Sequence, residues 1–338
     1  MLQIIPQIED NLHCSWQKEL ANVVTDPKEL LSLLEIDDKK YCQHFSARTL
    51  FPVRVPKPFI KKMEKGNFND PLLQQVMPCS AEHKHVDGYV TDPLEEHDTV
   101  AEGLLHKYKH RVLMIVKSGC AVNCRYCFRR HFPYEDNSPN KQRWQQALDY
   151  IKNHDEINEV IFSGGDPLMA KDEHLAWLIE QLNQIKHLTR LRIHTRLPVV
   201  IPQRITPQLV DILTQGRLKP VMVFHINHSN EIDDIFDRAL EPLREKRITL
   251  LNQSVLLKNI NDNADTLCQL SEQLFAVGIL PYYLHLLDPV SGAAHFDVKP
   301  DKAIQIAKHM MATLPGFLMP KLVQEIAGEA NKTAINLS

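Results

Sequence analysis

Three closely spaced cysteines are the residues of this sequence most suited to chemistry. Cys120, Cys124 and Cys127 follow the spacing C-x3-C-x2-C. A structural zinc site is closed by four ligands, so a group of three fits it poorly. A [4Fe–4S] cluster contains four irons, and three thiolates leave one iron open to bind another molecule. The spacing therefore favours an iron–sulfur cluster with one open iron over structural zinc or three unrelated thiols.

Short apolar segments alternate with segments of helical periodicity over most of the chain. We predict six β-strands, at residues 111–116, 159–163, 190–194, 220–225, 248–252 and 280–285. Strands that alternate with helices form a parallel sheet. Six strands are too few for the closed barrel of eight, so we predict an α/β fold with an open or partial (β/α)6 barrel. A flavodoxin-like open sheet is the alternative on periodicity alone.

Polar residues come directly after each predicted strand. The cysteine loop follows the first strand, and the segment Ser163-Gly164-Gly165-Asp166 follows the second. The later strands are followed by His194 and Arg196, His225 and Asn227, Asn252 to Ser254, and Asp288. One or two such residues would be ordinary turn chemistry. Because β/α barrels build their active sites at the C-terminal ends of strands, the full set predicts one shared site.

Composition narrows the class of protein. The chain has 338 residues, a net charge of −3 and 43% hydrophobic residues, enough for one large domain or two small ones. This charge gives no basis for nucleic-acid binding. The sequence shows no signal peptide, and no apolar stretch reaches the roughly 18 residues of a transmembrane helix. We therefore expect a soluble cytoplasmic protein without a membrane partner, and the cysteine triad suits that reducing compartment.

The first hundred residues differ in pattern from the rest. They predict short helices at 16–24, 27–34 and 58–65, with Asp26 as the cap before Pro27, and a proline-rich extended stretch between. Aspartate before proline is typical of a helix start. We interpret residues 1–100 as a helical N-terminal extension, 101–300 as the barrel core and 301–338 as a C-terminal segment. A separate small N-terminal domain is the alternative.

The sequence resembles the lysine 2,3-aminomutases, a family of radical S-adenosylmethionine (SAM) enzymes. The resemblance extends from about residue 51 to 337. It is carried by Asp92-Pro-Leu, residues 106–113, the cysteine loop with Arg129 and Arg130, and residues 163–168, 194–199, 252–258 and 315–323. It implies a radical SAM barrel that converts L-α-lysine to β-lysine with a [4Fe–4S] cluster, SAM and pyridoxal phosphate (PLP). Within the family, the sequence is most similar to the bacterial branch whose β-lysine modifies elongation factor P.

The resemblance also assigns PLP contacts. The lysine that holds PLP through its amine corresponds to Lys332, in the C-terminal segment, and Lys321 is the competing candidate. The glycine run of the family is reduced here to Gly328. Two phosphate-binding arginines correspond to Lys107 and Arg111. Lys107 keeps the charge of an arginine but loses its bidentate fork.

Substrate contacts follow from the resemblance and from charge. Arg129 matches the arginine that binds the substrate carboxylate, although support of the anionic cluster is an alternative role. Asp288 and Glu325 match two acidic positions that bind the distal ammonium. Glu325 stands where aspartate is usual, and a helix-face glutamate is its alternative interpretation. Acids at both positions argue against a glutamate aminomutase, which would need a cation there.

SAM contacts are assigned to the segment after the second strand. Ser163, Gly164, Gly165 and Asp166 match it, with the glycines expected to let the backbone approach SAM and Asp166 to anchor the loop. The resemblance adds weaker contacts from His225 and Gln253.

The sequence leaves two alternative functions open. One is an aminomutase for another basic amino acid such as ornithine, and the other is a non-catalytic iron–sulfur sensor or electron-transfer protein without PLP. The resemblance implies L-lysine as the small-molecule partner, a reductant such as flavodoxin, and a functional link to elongation factor P and its lysyl ligase. A zinc-binding cysteine of clostridial relatives aligns with Asn263, so we expect no zinc and, in a homo-oligomer, an altered interface.

Overall fold

One mixed β-sheet organises the protein. The computed structural model describes residues 15–96, 102–133, 140–329 and 331–337, which contain nine strands. The strands are β1 Leu104–Tyr108, β2 Arg111–Lys117, β3 Glu159–Gly164, β4 Arg190–Thr195, β5 Lys219–His225, β6 Thr249–Val255, β7 Leu280–His285, β8 Lys321–Gln324 and β9 Thr333–Ala334. Their order across the sheet is their order in the chain. Neighbours from β2 to β8 are parallel, whereas β1 and β9 pair antiparallel at the two edges.

The six predicted strands are confirmed as β2 to β7, and the α/β partial-barrel fold is confirmed with them. The sequential strand order excludes the flavodoxin-like alternative, in which the chain crosses back to the other side of its first strand. Three observed strands, β1, β8 and β9, were not predicted from the sequence. Apart from its tyrosine, β1 contains as many polar as apolar residues, and β8 and β9 are short. None of the three therefore has the apolar or alternating pattern that predicts a strand.

The sheet curls until its two ends approach each other. In a flat sheet, β1 and β8 would stand about 34 Å apart, because neighbouring strands are spaced by about 4.8 Å. Instead, the Tyr108 hydroxyl on β1 donates a hydrogen bond of 2.9 Å to Glu325, directly after β8. Two side chains cannot bridge the flat distance, so the sheet bends around a central space that both edges face.

Helices cover the sheet between its strands. Before the sheet lie α1 Trp16–Ala21, α2 Pro27–Leu33, α3 Lys57–Ile60 and α4 Pro71–Gln74. The helices α5 Lys141–Lys152, α6 Asp172–Gln184, α7 Leu197–Val200, α8 Pro207–Thr214, α9 Asp234–Glu245, α10 Ala264–Ala276 and α11 Pro300–Thr313 follow within the barrel. Asp26 caps α2 as predicted, accepting from the Lys28 amide at 3.0 Å. The helix predicted at 58–65 is shorter, since it ends at Ile60.

The N-terminal helices share their hydrophobic core with the barrel. Trp16, Leu30 and Phe59 are buried in the same cluster as Phe162 of β3 and Phe224 of β5. A common core favours the interpretation of an extension over that of a separate small domain, and the boundaries at residues 100 and 300 stay predictions. Within the described ranges, none of the helices combines the length and apolar character needed to cross a membrane.

Candidate active site

The curled sheet encloses a cavity at the C-terminal ends of its parallel strands. Its volume is about 230 Å³, whereas a second pocket in the described part of the chain measures about 10 Å³. The smaller one has room for about one water molecule. All the site residues predicted from the sequence line the large cavity: Lys107, Arg111, Cys120, Cys124, Cys127, Arg129, Ser163, Gly164, Gly165, Asp166, His225, Gln253, Asp288, Glu325 and Lys332.

The cysteine loop is held from behind by buried arginines. Arg125 and Arg130, on either side of Cys127, both donate to Glu82, at 2.9 Å from the Arg125 Nε and 2.7 Å from the Arg130 Nη2. All three charged side chains are fully shielded from water. Glu82 belongs to the N-terminal extension, so the extension positions the cysteine loop. No sequence motif marks Glu82 as part of the site.

The three cysteines are protonated thiols until a bound metal displaces their protons. Desolvation, with the neighbouring Cys124 thiol, raises the pKa of Cys127 to about 11 although Arg129 lowers it. Desolvation also raises the pKa of Cys120 well above its usual value. Thiolate ligands must lose their protons to metal. Among the described residues, no three His, Cys, Asp or Glu side chains converge on a single ion. In a four-iron cluster each cysteine binds a different iron, so its thiolates do not need to converge on one point.

The two glycines after β3 are needed for contact within the protein. Gly164 has a φ of +116°, and a Cβ there would lie 2.5 Å from the Lys117 carbonyl. A Cβ on Gly165 would lie 2.5 Å from the carbonyl of Gly119, the residue before Cys120. The glycines therefore let this segment pack against the start of the cysteine loop. This packing within the protein adds to the predicted role of the two glycines, which is to let the backbone approach SAM.

Asp166 anchors the same segment to the end of β4. Its buried carboxylate accepts hydrogen bonds of 2.8 Å from the Thr195 hydroxyl and from the amides of Arg196 and Leu197. A further bond of 3.1 Å comes from the Leu168 amide. Desolvation raises the pKa of Asp166 in spite of these bonds. The Asp166 carboxylate thus uses its hydrogen-bond acceptor positions for groups of the protein itself.

Lys332 and Lys321 are separated clearly by the fold. The Lys332 amine lies in the cavity, hydrogen-bonded to the Glu325 carboxylate and 5.9 Å from the centre of the Tyr283 ring. Lys321, on β8, is exposed to solvent and does not line the cavity. An amine that must reach a ligand in the cavity is therefore available from Lys332 and not from Lys321.

Glu325 connects the two edges of the sheet. Its carboxylate accepts from the Tyr108 hydroxyl at 2.9 Å, from Lys107 at 3.4 Å and from Lys332. Desolvation would raise its pKa, but Lys332 and then Lys107 outweigh it and lower the pKa to about 2. Glu325 follows a strand, so its alternative interpretation as a helix-face glutamate is wrong.

Asp288 is a second acidic residue of the cavity, and its carboxyl group differs from that of Glu325 in hydrogen bonding and in pKa. Its Oδ1 oxygen is buried and finds no hydrogen-bond partner among the described residues. Desolvation, with the charge of Glu325, raises the pKa of Asp288 to about 7. A shielded carboxylate of this kind is suited to accept a cationic ligand.

Arg129 is held by a glutamate that the sequence analysis did not assign. Its Nε donates to Glu96 at 2.7 Å, and its Nη1 donates to the Ser163 hydroxyl at 2.9 Å. Glu96 also lies 4.0 Å from the Lys107 amine. It follows the Asp92-Pro-Leu segment, which had served only to establish the resemblance. Arg111, on β2, stacks over the Tyr108 ring at 4.0 Å.

Histidines from three strands line one wall of the cavity. His225 on β5 contacts the Gln253 amide of β6 at 2.9 Å. His194 on β4 and His285 on β7, to which the sequence analysis gave no individual role, each have a buried Nε2 without a partner in the described ranges. Desolvation lowers the pKa of His225 and of His285 to about 3. These rings are therefore neutral donors or acceptors at physiological pH.

Three features together define a class of protein. They are the cysteine triad after β2, the glycine segment of residues 163–166 at the end of β3, and the partial barrel. A family model described as the Radical SAM superfamily matches residues 114–269. This range runs from β2 into α10 and includes the cysteine loop and the glycine segment.

Relatives with closer similarity specify the family. The L-lysine 2,3-aminomutase of Escherichia coli is 56% identical over 323 residues, which cover 95% of this chain and 94% of that protein. The enzyme of the same name from Haemophilus influenzae is 58% identical over 320 residues, covering 94% and 95%. That of Clostridium subterminale is 31% identical over 336 residues, covering 98% and 80%. This chain belongs to the lysine 2,3-aminomutase family, whose enzymes use a [4Fe–4S] cluster, SAM and PLP, and the resemblance is confirmed.

Proposed function

We propose that this protein converts L-α-lysine to β-lysine by moving the amino group from carbon 2 to carbon 3. The proposal rests on one cavity that joins three cysteines, a lysine amine and a carboxylate oxygen unpartnered among the described residues. The relatives named L-lysine 2,3-aminomutase support lysine as the substrate. When bound, the cluster and SAM supply a radical for an unactivated carbon–hydrogen bond, and PLP supplies a π system for the migrating nitrogen.

In this proposal, Cys120, Cys124 and Cys127 hold the cluster. Three thiol donors on one short loop match a cluster that keeps one iron open. Arg129 and Arg196 place positive charge beside sulfurs that become anionic on binding iron. The donor set and its electrostatic surroundings therefore fit the cluster.

Lys332 holds PLP through its amine, and Lys107 and Arg111 bind the cofactor phosphate. These cations face the cavity from the segment before β9 and from the neighbouring strands β1 and β2. A pair of cations suits a phosphate group. To bind PLP, the Lys332 amine has to leave Glu325, which then becomes available to another cation.

Ser163, Gly164 and Gly165, together with His225 and Gln253, contact SAM. They lie at the ends of β3, β5 and β6 on the wall of the cavity. Asp166 contributes by positioning, because its carboxylate is already occupied by the β4 segment. The carboxylate fixes the glycine segment to the end of β4, and the Asp166 amide donates a hydrogen bond of 3.0 Å to the carbonyl of Gly119, next to the cysteine loop.

Asp288 and Glu325 bind the distal ammonium of lysine, and Arg129 binds its carboxylate. A buried oxygen without a partner carries a free-energy cost that an ammonium donor removes. Glu325 adds a second carboxylate once Lys332 has exchanged its partner. Charged groups matched to both ends of lysine select against amino acids without a distal cation.

The wider role of the product follows from resemblance alone. In this proposal, (R)-β-lysine is released as a free amino acid and a lysyl ligase attaches it to elongation factor P. A flavodoxin-like protein supplies the electron, and the enzyme is a homo-oligomer. The cytoplasm is the compartment, because three closely spaced free cysteines need a reducing environment.

Anaerobic turnover tests the activity. The cluster is reconstituted, SAM, PLP, dithionite and L-lysine are added, and products are separated by chiral chromatography and identified by mass spectrometry. We expect β-lysine, dependent on both SAM and PLP. Deoxyadenosine without β-lysine would overturn lysine as the substrate and make ornithine the next substrate to try. A full cluster with neither product would favour the sensor function.

A further inference from the structure

We propose that Arg196 is a positioning residue that raises the reduction potential of the iron–sulfur cluster by donating a hydrogen bond to Cys124. The inference rests on the proposed ligation of the cluster by Cys124. The Arg196 Nη1 lies 2.7 Å from the Cys124 Sγ and donates to it. Arg196 follows β4, well separated from the cysteine loop in sequence, and is 6% exposed.

The guanidinium of Arg196 is fixed from several sides. Its Nη1 also donates to the Tyr126 hydroxyl at 2.6 Å. Its Nη2 donates to Gln75 at 2.7 Å and to the carboxylate of Glu231 at 2.9 Å. Gln75 and Glu231 are themselves fully buried. A donor with this many partners cannot rotate away from Cys124 without breaking bonds that water cannot replace.

A hydrogen bond to a cysteine ligand changes the energy of reduction. The electron adds negative charge to the cluster, and that charge spreads onto the sulfurs of its ligands. Hydrogen bonds to those sulfurs stabilise the reduced form and raise the potential. The effect is larger in a shielded site, where charges are poorly screened. The negative Glu231 partly offsets it, because its carboxylate binds the same guanidinium.

Redox titration of the reconstituted protein tests this inference. The midpoint potential is followed by electron paramagnetic resonance without SAM, PLP or lysine. We expect Arg196→Lys to shift it to a more negative value, because lysine keeps a charge but not the fork that reaches Cys124. Arg204→Lys is the matched control. Arg204 is also fully buried and donates to the Leu168 carbonyl at 2.6 Å and to Asp172 at 2.7 Å, and its variant is expected to keep the wild-type potential.

An unchanged potential in Arg196→Lys with full iron content would overturn the inference, and so would an equal shift in the control. If Arg196→Lys does not hold its cluster, Glu231→Gln decides. Removing that carboxylate leaves the charge of Arg196 less compensated, so a positive shift supports the inference and any other result overturns it. A wild-type protein that takes up no cluster would instead contradict the proposed function.

Discussion

The two sides of the cavity differ in how completely their charged groups are paired. We call one the cysteine side, which comprises residues 120–130 with Glu82 and Arg196, and the other the lysine side, which comprises Lys107, Asp288, Glu325 and Lys332. On the cysteine side, Glu82 pairs with two arginines at 0% exposure. On the lysine side, Glu325 pairs with two lysines that are each 20% exposed, and one oxygen of Asp288 has no partner in the described ranges.

This difference indicates two modes of ligand binding in one cavity. A group whose partners are all supplied by the protein is built before the ligand arrives, and this preorganisation lowers the cost of binding. A carboxylate that binds the amine intended for the cofactor must exchange partners when the cofactor enters. We therefore expect the cysteine side to respond little to PLP and the lysine side to respond strongly.

Removal of the Lys332 amine has the largest expected effect on activity. We expect Lys332→Ala to abolish β-lysine formation and PLP loading, because no amine is left at that place to hold the cofactor. The cluster on the other side of the cavity should keep its full iron content. Cofactor absorbance, iron analysis and turnover measure the three quantities.

Lys321→Ala is the matched control for that variant, since Lys321 is exposed on β8. It should retain both PLP and activity. Loss of PLP from the control, with retention in Lys332→Ala, would reverse the assignment of the two lysines and remove Lys332 from the lysine side.

Neutralising Glu82 should cause the largest loss of folding stability. Glu82→Gln leaves Arg125 and Arg130 buried without a counter-charge, which costs about 3–5 kcal/mol. Urea denaturation of the PLP-free protein measures the free energy of unfolding. In the control Glu35→Gln, the lost ion pair with Lys65 is about two-thirds exposed, so the expected change is under about 1 kcal/mol. Equal losses in the two variants would contradict the view of the cysteine side as prebuilt.

Glu325→Gln should destabilise the PLP-free protein to a smaller extent. The difference between its usual pKa near 4.5 and its pKa of about 2 corresponds to roughly 3 kcal/mol. Because the pKa is lowered, this stabilisation is present above about pH 4.5 and is lost as the pH falls toward 2. Denaturation at neutral pH therefore reports it in full.

PLP distinguishes Glu325 from Glu82. Once Lys332 is bound to the cofactor, Glu325 has lost its strongest partner, so the stability difference between wild type and Glu325→Gln should shrink. The difference caused by Glu82→Gln should not change with PLP. Two differences that respond alike to PLP would remove the distinction between the sides.

Sequence patterns predicted the parts of the site that local periodicity encodes. The polar residues at the ends of the predicted strands indicated the cysteine loop, residues 163–166, His194, His225 and Asp288 as neighbours in one site, and all of them contribute to the cavity lining. Asn227 and Asn252, also at strand ends, do not line it, and Lys107, Arg111, Glu325 and Lys332 were assigned by the family resemblance alone. The connections that hold those residues were not accessible in this way, because they join distant positions. The Glu82–Arg125 pair spans 43 positions, the Arg196–Gln75 bond 121 and the Tyr108–Glu325 bond 217. No helical or strand period relates residues that far apart.

The smallest expected effect concerns substrate affinity. We expect Asp288→Asn to raise the KM for lysine about 10- to 100-fold, since a hydrogen bond between charged groups contributes about 1.5–3 kcal/mol. The PLP-free protein should not lose stability, because the variant removes a shielded charge rather than a partner. A variant that destabilised the protein as much as Glu325→Gln would show that Asp288 is paired within the protein.

The pH dependence of kcat/KM in the wild-type enzyme is a second test of the role of Asp288. The pKa of Asp288 is raised to about 7, so its carboxyl group gains a proton and loses its charge as the pH falls through that value. The kcat/KM for lysine reports groups of the free enzyme. It should therefore decline below about pH 7 in the wild type, with a lower and flatter profile in Asp288→Asn. A wild-type profile that is level through pH 7 would mean that the ammonium of lysine does not depend on the charge of Asp288.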